Sequence, residues 1–152
     1  MRSIINGDSL KKKGFKISTD KNLLDFELIY KYLNEDSYWA KGISAEKLKK
    51  AIDNSICFGI YHHDKQAGFA RVVTDKATFA YICDVFVLPE FRGLGLSKWL
   101  IQTIVDDAEF TGLRRWSLAT LDAHGLYSQF GFTQIGQPTR WMEIFTPYTK
   151  DN

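Results

Sequence analysis

Three runs rich in β-branched and aromatic residues, "ICFGIYH" at 56–62, "QAGFARVVT" at 66–74 and "TFAYICDVFVL" at 78–88, follow one another with only "HDK" and "DKA" between them. Connections this short and polar turn a chain straight back, so the three runs predict an antiparallel meander. At Gly93 the period changes. Leu96, Leu100, Ile101, Ile104, Val105 and Ala108 fall on one helical face, with Lys98, Gln102, Asp106 and Glu109 on the other. A meander feeding one long amphipathic helix is the frame into which the rest must fit.

Upstream, "FKIST" predicts a short strand. "NLLDFELIYKYL" predicts a helix with Leu24, Leu28, Ile29, Tyr32 and Leu33 inward, and Ser44 caps a second helix, "AEKLKKAIDN". Downstream, "RRWSLATL" at 114–121 reads as a strand. "DAHGLYSQF" reads as a short helix opened by Asp122 and closed by Gly131, and "FTQIG" and "TRWMEIF" as a terminal pair of strands. This order predicts an α+β (mixed α/β) fold, with helices on both faces of a mostly antiparallel, twisted sheet.

The chain of 152 residues, 45% of them hydrophobic, suits one domain spanning 1–152, with 1–14 as a polar lead-in. A net charge of +2 is too balanced for the broad basic footprint of a nucleic-acid binder, so no nucleic-acid partner is expected. Cys57 and Cys83 lie inside apolar runs and read as buried reduced thiols, without a metal-ligand pattern. The N-terminal stretch has no apolar core of signal-peptide length, and no run approaches a bilayer span. A cytoplasmic protein without a membrane partner is the expectation.

Gly93 and Gly95 flank one residue at the strand-to-helix turn in "LPEFRGLGLSKWL". Without a Cβ there, backbone N–H groups approach an anion, and the helix start adds free donors and the positive end of its dipole. Arg92 and Lys98 supply charge, so a pyrophosphate is a sensible occupant; taken alone, the glycine pair reads equally as a mere tight turn. The dinucleotide fingerprint fails, because Lys98 stands where a third small residue belongs and no βαβ unit surrounds the turn. The P-loop spacing is absent too.

The stretch "VFVLPEFRGLGLSKWL" resembles the hallmark of the GNAT N-acetyltransferases, Arg/Gln-x-x-Gly-x-Gly/Ala at the start of a long helix. Arg92 and Gly95 match, and Ser97 replaces the last small residue. A second family motif, Ala-x-x-Leu-Tyr-x-x-x-Gly-Phe, is met by Ala123, Leu126, Tyr127, Gly131 and Phe132. The likeness runs from about residue 15 to residue 146, and "GFARVVTDKATFAYICDVFV" resembles a subgroup of small bacterial members.

The resemblance implies acetyl-CoA (coenzyme A) in a cleft where the strand bearing Val85–Leu88 splays from that bearing Leu118–Leu121. Phe86 and Val87 would meet the pantetheine arm and supply an oxyanion donor. Arg92, Gly93, Leu94, Gly95, Leu96, Ser97 and Lys98 would hold the pyrophosphate. Thr120, where an asparagine is common, and Tyr127 complete the expected cofactor contacts.

The implied chemistry is direct attack of an amine on the thioester, with Tyr127 protonating the departing thiolate; otherwise Tyr127 is a core tyrosine with its hydroxyl satisfied nearby. Asp84, the one formally charged residue between Ala77 and Leu88, reads either as a general base or as a structural partner of Arg71 or Arg115. Tyr38 and Trp39 are candidate walls of the acceptor pocket or plain core aromatics, and His124 a second base or a solvated residue. Arg140, Trp141 and Met142 are weaker candidates. The expected partner is a small-molecule or peptide amine, and a homodimer stays open. A second reading is a non-catalytic acyl-CoA-binding sensor or interaction module, against which the presence of Tyr127 and Asp84 counts.

Overall fold

The structure is a computed structural model that describes residues 5–149 and 152. Its five strands, β1 (Phe15–Ser18), β2 (Ile56–His62), β3 (Lys65–Thr74), β4 (Phe79–Val87) and β5 (Arg115–Ser117), lie in one sheet in chain order. The first three pairings are antiparallel, which is the predicted meander with its edge strand, and β5 joins β4 in parallel. The mixed α+β fold follows.

Two apolar clusters divide the core. Leu96, Leu100, Ile101 and Ile104 of α4 (Leu96–Val105) pack with Phe58, Ala70 and Val87. Ile29 of α2 (Phe26–Lys31), Leu33 of the following π-helical turn (Tyr32–Asp36), and Leu48 and Ile52 of α3 (Ala45–Asp53) pack with Cys57, Phe69 and Phe86. Neighbouring strand residues point to opposite faces, so Cys57 and Phe58, Phe69 and Ala70, and Phe86 and Val87 place the clusters on opposite sides of the sheet. Burying such apolar side chains contributes about 1.5–3 kcal/mol each.

Local chemistry sets the helix starts. The Asp25 carboxylate accepts the Leu28 N–H at 3.1 Å and the Ser44 hydroxyl accepts the Lys47 N–H at 3.2 Å, each filling a donor that the helix cannot satisfy itself. Asp25 moves the start of the predicted 22–33 helix to Phe26. Within the lead-in, α1 (Gly7–Lys12) is capped by Asn6 and buries Leu10, while residues 1–4 lie outside the described residues.

Five sequence expectations need correction. The strand expected over 114–121 is a ladder of three residues, because Leu118–Leu121 turns away from β4. Helix α4 stops at Val105, and Ala108 falls in a separate 3₁₀ turn capped by Asp107. The helix after β5, α5 (His124–Ser128), is preceded by Ala123, whose N–H goes to the Thr120 hydroxyl; Asp122 does not cap it. "FTQIG" and "TRWMEIF" form no strands, since β5 is too short to give them an edge and Gly136 and Pro138 interrupt them. Cys83 is half-buried, in contrast to fully buried Cys57.

Candidate active site

Phe69 pairs with Phe86 and Arg71 with Cys83, so Ala70 of β3 faces both Asp84 and Val85 of β4. This β-bulge puts Asp84 at φ 55°, a left-handed conformation that costs a residue with a Cβ about 1–2 kcal/mol. Strain of this kind persists only where its surroundings hold it. They do: Arg71 Nε donates to Asp84 Oδ2 at 2.8 Å and Trp39 Nε1 donates to Asp84 Oδ1 at 2.9 Å. Arg71 Nη1 also donates to the Ser55 hydroxyl at 3.1 Å. Of the readings open for Asp84, the geometry supports partnership with Arg71. Arg115 lies elsewhere, with its guanidinium carbon 4.8 Å from the Trp141 ring centroid.

Beyond the bulge the sheet opens. The β4–β5 ladder ends at Tyr81 and Ser117, leaving the β5-facing side of Ile82–Val87 without a strand partner among the described residues. Leu88 N–H donates to Ala67 on β3 at 2.8 Å, whereas Val87 C=O accepts from Arg92 Nε on the other side at 2.9 Å. Alternation along the strand therefore leaves Val85 and Val87 N–H on the open side. The ring of Phe86 stacks on Tyr32 with centroids 4.0 Å apart.

That open edge leads to the turn before α4. Gly93 has φ 83° and Gly95, at the helix N-cap position, φ 87°, so glycine is required at both. A Cβ on Gly93 would meet nothing within 4 Å, and the first turn carries neither a side-chain cap nor an acidic residue. Leu94 is exposed and Leu96 buried; the hydroxyl of half-buried Ser97 has no hydrogen-bond partner among the described residues, and Lys98 follows it. Arg92 Nη2 donates to the Tyr32 hydroxyl at 3.0 Å. The result is an uncapped helix start with open space before it and two basic side chains beside it, which suits an anion.

On the same side, Tyr127 of α5 is 8% exposed, and its hydroxyl makes no hydrogen bond among the described residues. Its ring sits in the core cluster, as the core-tyrosine reading expects, while the satisfied hydroxyl of that reading is not seen among the described residues. Burial pushes its phenol up to about 12, with Tyr38 adding to the effect. Tyr38, packed edge-on against Trp39 at 5.0 Å, accepts the Leu121 N–H at 2.9 Å. These aromatics thus tie the α2–α3 connection to Leu121 and to Asp84, on the two banks of the opening.

Asp84, Tyr38, Trp39, Thr120 and Tyr127 all line one cleft of about 560 Å³. Sequence reasoning missed Tyr81, Cys83, Asp122, Glu143, Phe145 and Tyr148, which line it too. Alternation in "TRWMEIF" could have put Trp141, Glu143 and Phe145 on one side, and they do line the clefts, while Met142 and Ile144 are 95% and 99% exposed. His124 is exposed and stands outside the lining. A larger neighbouring cleft, about 640 Å³, lies between β5 and the C-terminal segment and touches neither Asp84 nor Tyr127. No set of three or more His, Cys, Asp or Glu side chains among the described residues could hold a metal ion. No described helix is long and apolar enough to cross a membrane.

A model of the Acetyltransferase (GNAT) family matches residues 26–132, which span α2 through α5 and so contain the bulge, the glycine turn and Tyr127. The chain belongs to this family. A solved structure from Xanthomonas campestris pv. campestris, assigned to the GNAT acetyltransferases, is 48% identical and covers 91% of this chain and 97% of its own, with a TM-score of 0.87. A Gibberella zeae protein named as a candidate acetyltransferase is 32% identical over 135 residues, 76% of each chain. An uncharacterised N-acetyltransferase of Pyropia yezoensis is 30% identical over 136 residues, 82% of this chain and 74% of its own. In this GNAT acetyltransferase the splayed edge of β4 and the uncapped start of α4 both lie within the matched span.

Proposed function

We propose that this chain is an acetyl-CoA-dependent N-acetyltransferase that moves an acetyl group to a primary amine by direct attack in a ternary complex. The observation that carries the reading is the continuity of one surface: the unpaired edge of β4 runs from the 560 Å³ cleft holding Tyr127 to the glycine turn of α4. The residues fit the cofactor, because the Gly93–Lys98 turn has space and donors for a pyrophosphate and no carboxylate to repel it. The free N–H and C=O groups of β4 suit the amides of a pantetheine arm, which would add to the sheet as a strand does.

When bound, acetyl-CoA supplies an acetyl group activated as a thioester. Val87 N–H, on the open side of β4, would donate to the carbonyl oxygen as negative charge develops there. With acetyl-CoA bound, an acceptor amine would displace the thiol, water in the open cleft would take the proton the nitrogen loses, and Tyr127 would give its proton to the leaving sulfur and regain one from water. At a pKa of about 12 the phenol keeps its proton at neutral pH, and a thiolate released beside it is made more basic by the same desolvation. Asp84 acts as a positioning residue, since both its oxygens are engaged. Cys83 lines the cleft, but burial raises its thiol to about 12, so it is a poor nucleophile and supports no acetyl-cysteine route.

The test is thermal unfolding with ligands followed by turnover. At a hundredfold excess over Kd, acetyl-CoA should stabilise the protein by about 2.7 kcal/mol, and NAD or ATP should not. Release of free CoA with a panel of amines then separates an enzyme from a sensor. No shift with any CoA ester sinks the reading.

A further inference from the structure

The charges of the Tyr127 cleft are lopsided. Its lining holds three carboxylates, Asp84, Asp122 and Glu143, and a single cation, Arg71. Arg71 is neutralised by Asp84 and gives a further hydrogen bond to Ser55, so it has no charge to offer an acceptor. Asp122 and Glu143 make no hydrogen bond or ion pair among the described residues, and both are exposed to what enters. They stand on different segments, Asp122 just before α5 and Glu143 on the extended C-terminal strap. The walls around them are aromatic: Tyr38, Trp39, Tyr81, Phe145 and Tyr148. Glu143 also borders the neighbouring cleft, where Arg115 is the cation, but Arg115 is stacked on Trp141.

A cation surrounded by ring faces and carboxylates is attracted by both. An acid group in the same space meets two unpaired negative charges and no free positive one on the described lining, since Lys47 lies against the Tyr148 ring without being part of that lining. Resting on the acetyltransferase reading for its place in the reaction, we propose that this cleft selects amines with an apolar or cationic body and rejects amines that carry a carboxylate or phosphate, with Glu143 and Asp122 as the discriminating residues. Glu143 accepts a hydrogen bond from the acceptor's ammonium group, and the C-terminal strap becomes part of the specificity pocket.

Calorimetry with matched amines tests this, on the protein alone and again with CoA present: 2-phenylethylamine against L-phenylalanine, and cadaverine against L-lysine. In each pair the member without a carboxylate should bind about tenfold or more tightly, the scale of one unfavourable charge contact in a half-open site. The double variant Glu143→Gln, Asp122→Asn should narrow that gap to about threefold or less while leaving the acetyl-CoA melting shift unchanged. Equal binding within the pairs, preference for the acid-bearing member, no binding of any of the four, or an unaltered gap in the variant overturns the proposal. The acetyl-CoA shift is read separately, so loss of the cofactor reading is not confused with loss of this one.

Discussion

The indole N–H of Trp39 donates to the carboxylate of Asp84 at 2.9 Å, joining the α2–α3 connection to a residue held at φ 55° in the middle of β4. With Arg71 on the second oxygen, this contact fixes the point where the sheet changes phase. Cys83 and Phe86, three residues apart, end up on the same face because of it.

Removing the carboxylate should therefore act first on stability. Asp84→Ala leaves the Arg71 guanidinium largely buried and unpaired, a loss of about 3 kcal/mol. For a chain of this size that lowers the melting temperature by roughly 6–12 °C. Asp84→Asn keeps an acceptor for Trp39 and should fall between. If Asp84→Asn lost turnover without losing stability, the positioning role would give way to a catalytic one.

Tyr127→Phe removes the proposed acid while keeping the ring in the core, so folding should be retained. The expected loss in turnover is about a hundredfold. Because burial holds the native phenol near 12, the wild-type profile of kcat/KM should show no fall from Tyr127 ionisation up to about pH 10. A tyrosine-dependent decline centred near pH 9 in steady-state kinetics would contradict the environment described for it.

The glycine turn offers a graded test. Alanine at Gly93 or Gly95 is forced into a left-handed conformation at a cost of about 1–2 kcal/mol. At Gly95 the added Cβ also meets the Ile5 side chain, whereas at Gly93 it projects into open space. Gly95→Ala should thus lower the melting temperature more. Gly93→Ala should show its effect mainly as a smaller stabilisation by acetyl-CoA, measured by titrated thermal shifts.

Asp75, between β3 and β4, accepts from the backbone N–H groups of Ala77, Thr78 and Phe79 and from the Thr78 hydroxyl. These bonds, the Thr78 hydroxyl foremost, hold its carboxyl well below the usual carboxylate range. A carboxylate depressed in the native state stabilises above its unfolded pKa and loses that contribution as pH falls. Asp75→Asn should accordingly melt lower than wild type at pH 7, with the gap closing below about pH 4. A gap that widened on acidification would reverse the sign.

What could be read in advance was what local pattern dictates. The meander rests on turn-length gaps at His63–Lys65 and Asp75–Ala77, α3 on the Ser44 cap, and the α4 turn on glycines whose positive φ no other residue tolerates well. Missed features depend on contacts distant in sequence. Trp39 and Asp84 are 45 residues apart, Tyr38 and Leu121 83, and Arg92 and Tyr32 60. The extent of β5 was overestimated because an apolar run signals burial, and Leu118–Leu121 flanks a cleft without pairing. Glu143 lies in "TRWMEIF", whose pattern predicts a terminal strand and not the irregular segment that lines the cleft.

A strand side left unpaired is also a template for aggregation. The bulge at Asp84 counters this: it puts a kink and an inward-pointing charge, 7% exposed, into an otherwise smooth apolar strand. A second copy of this chain could pair along that edge only by matching the kink and burying the carboxylate beside it.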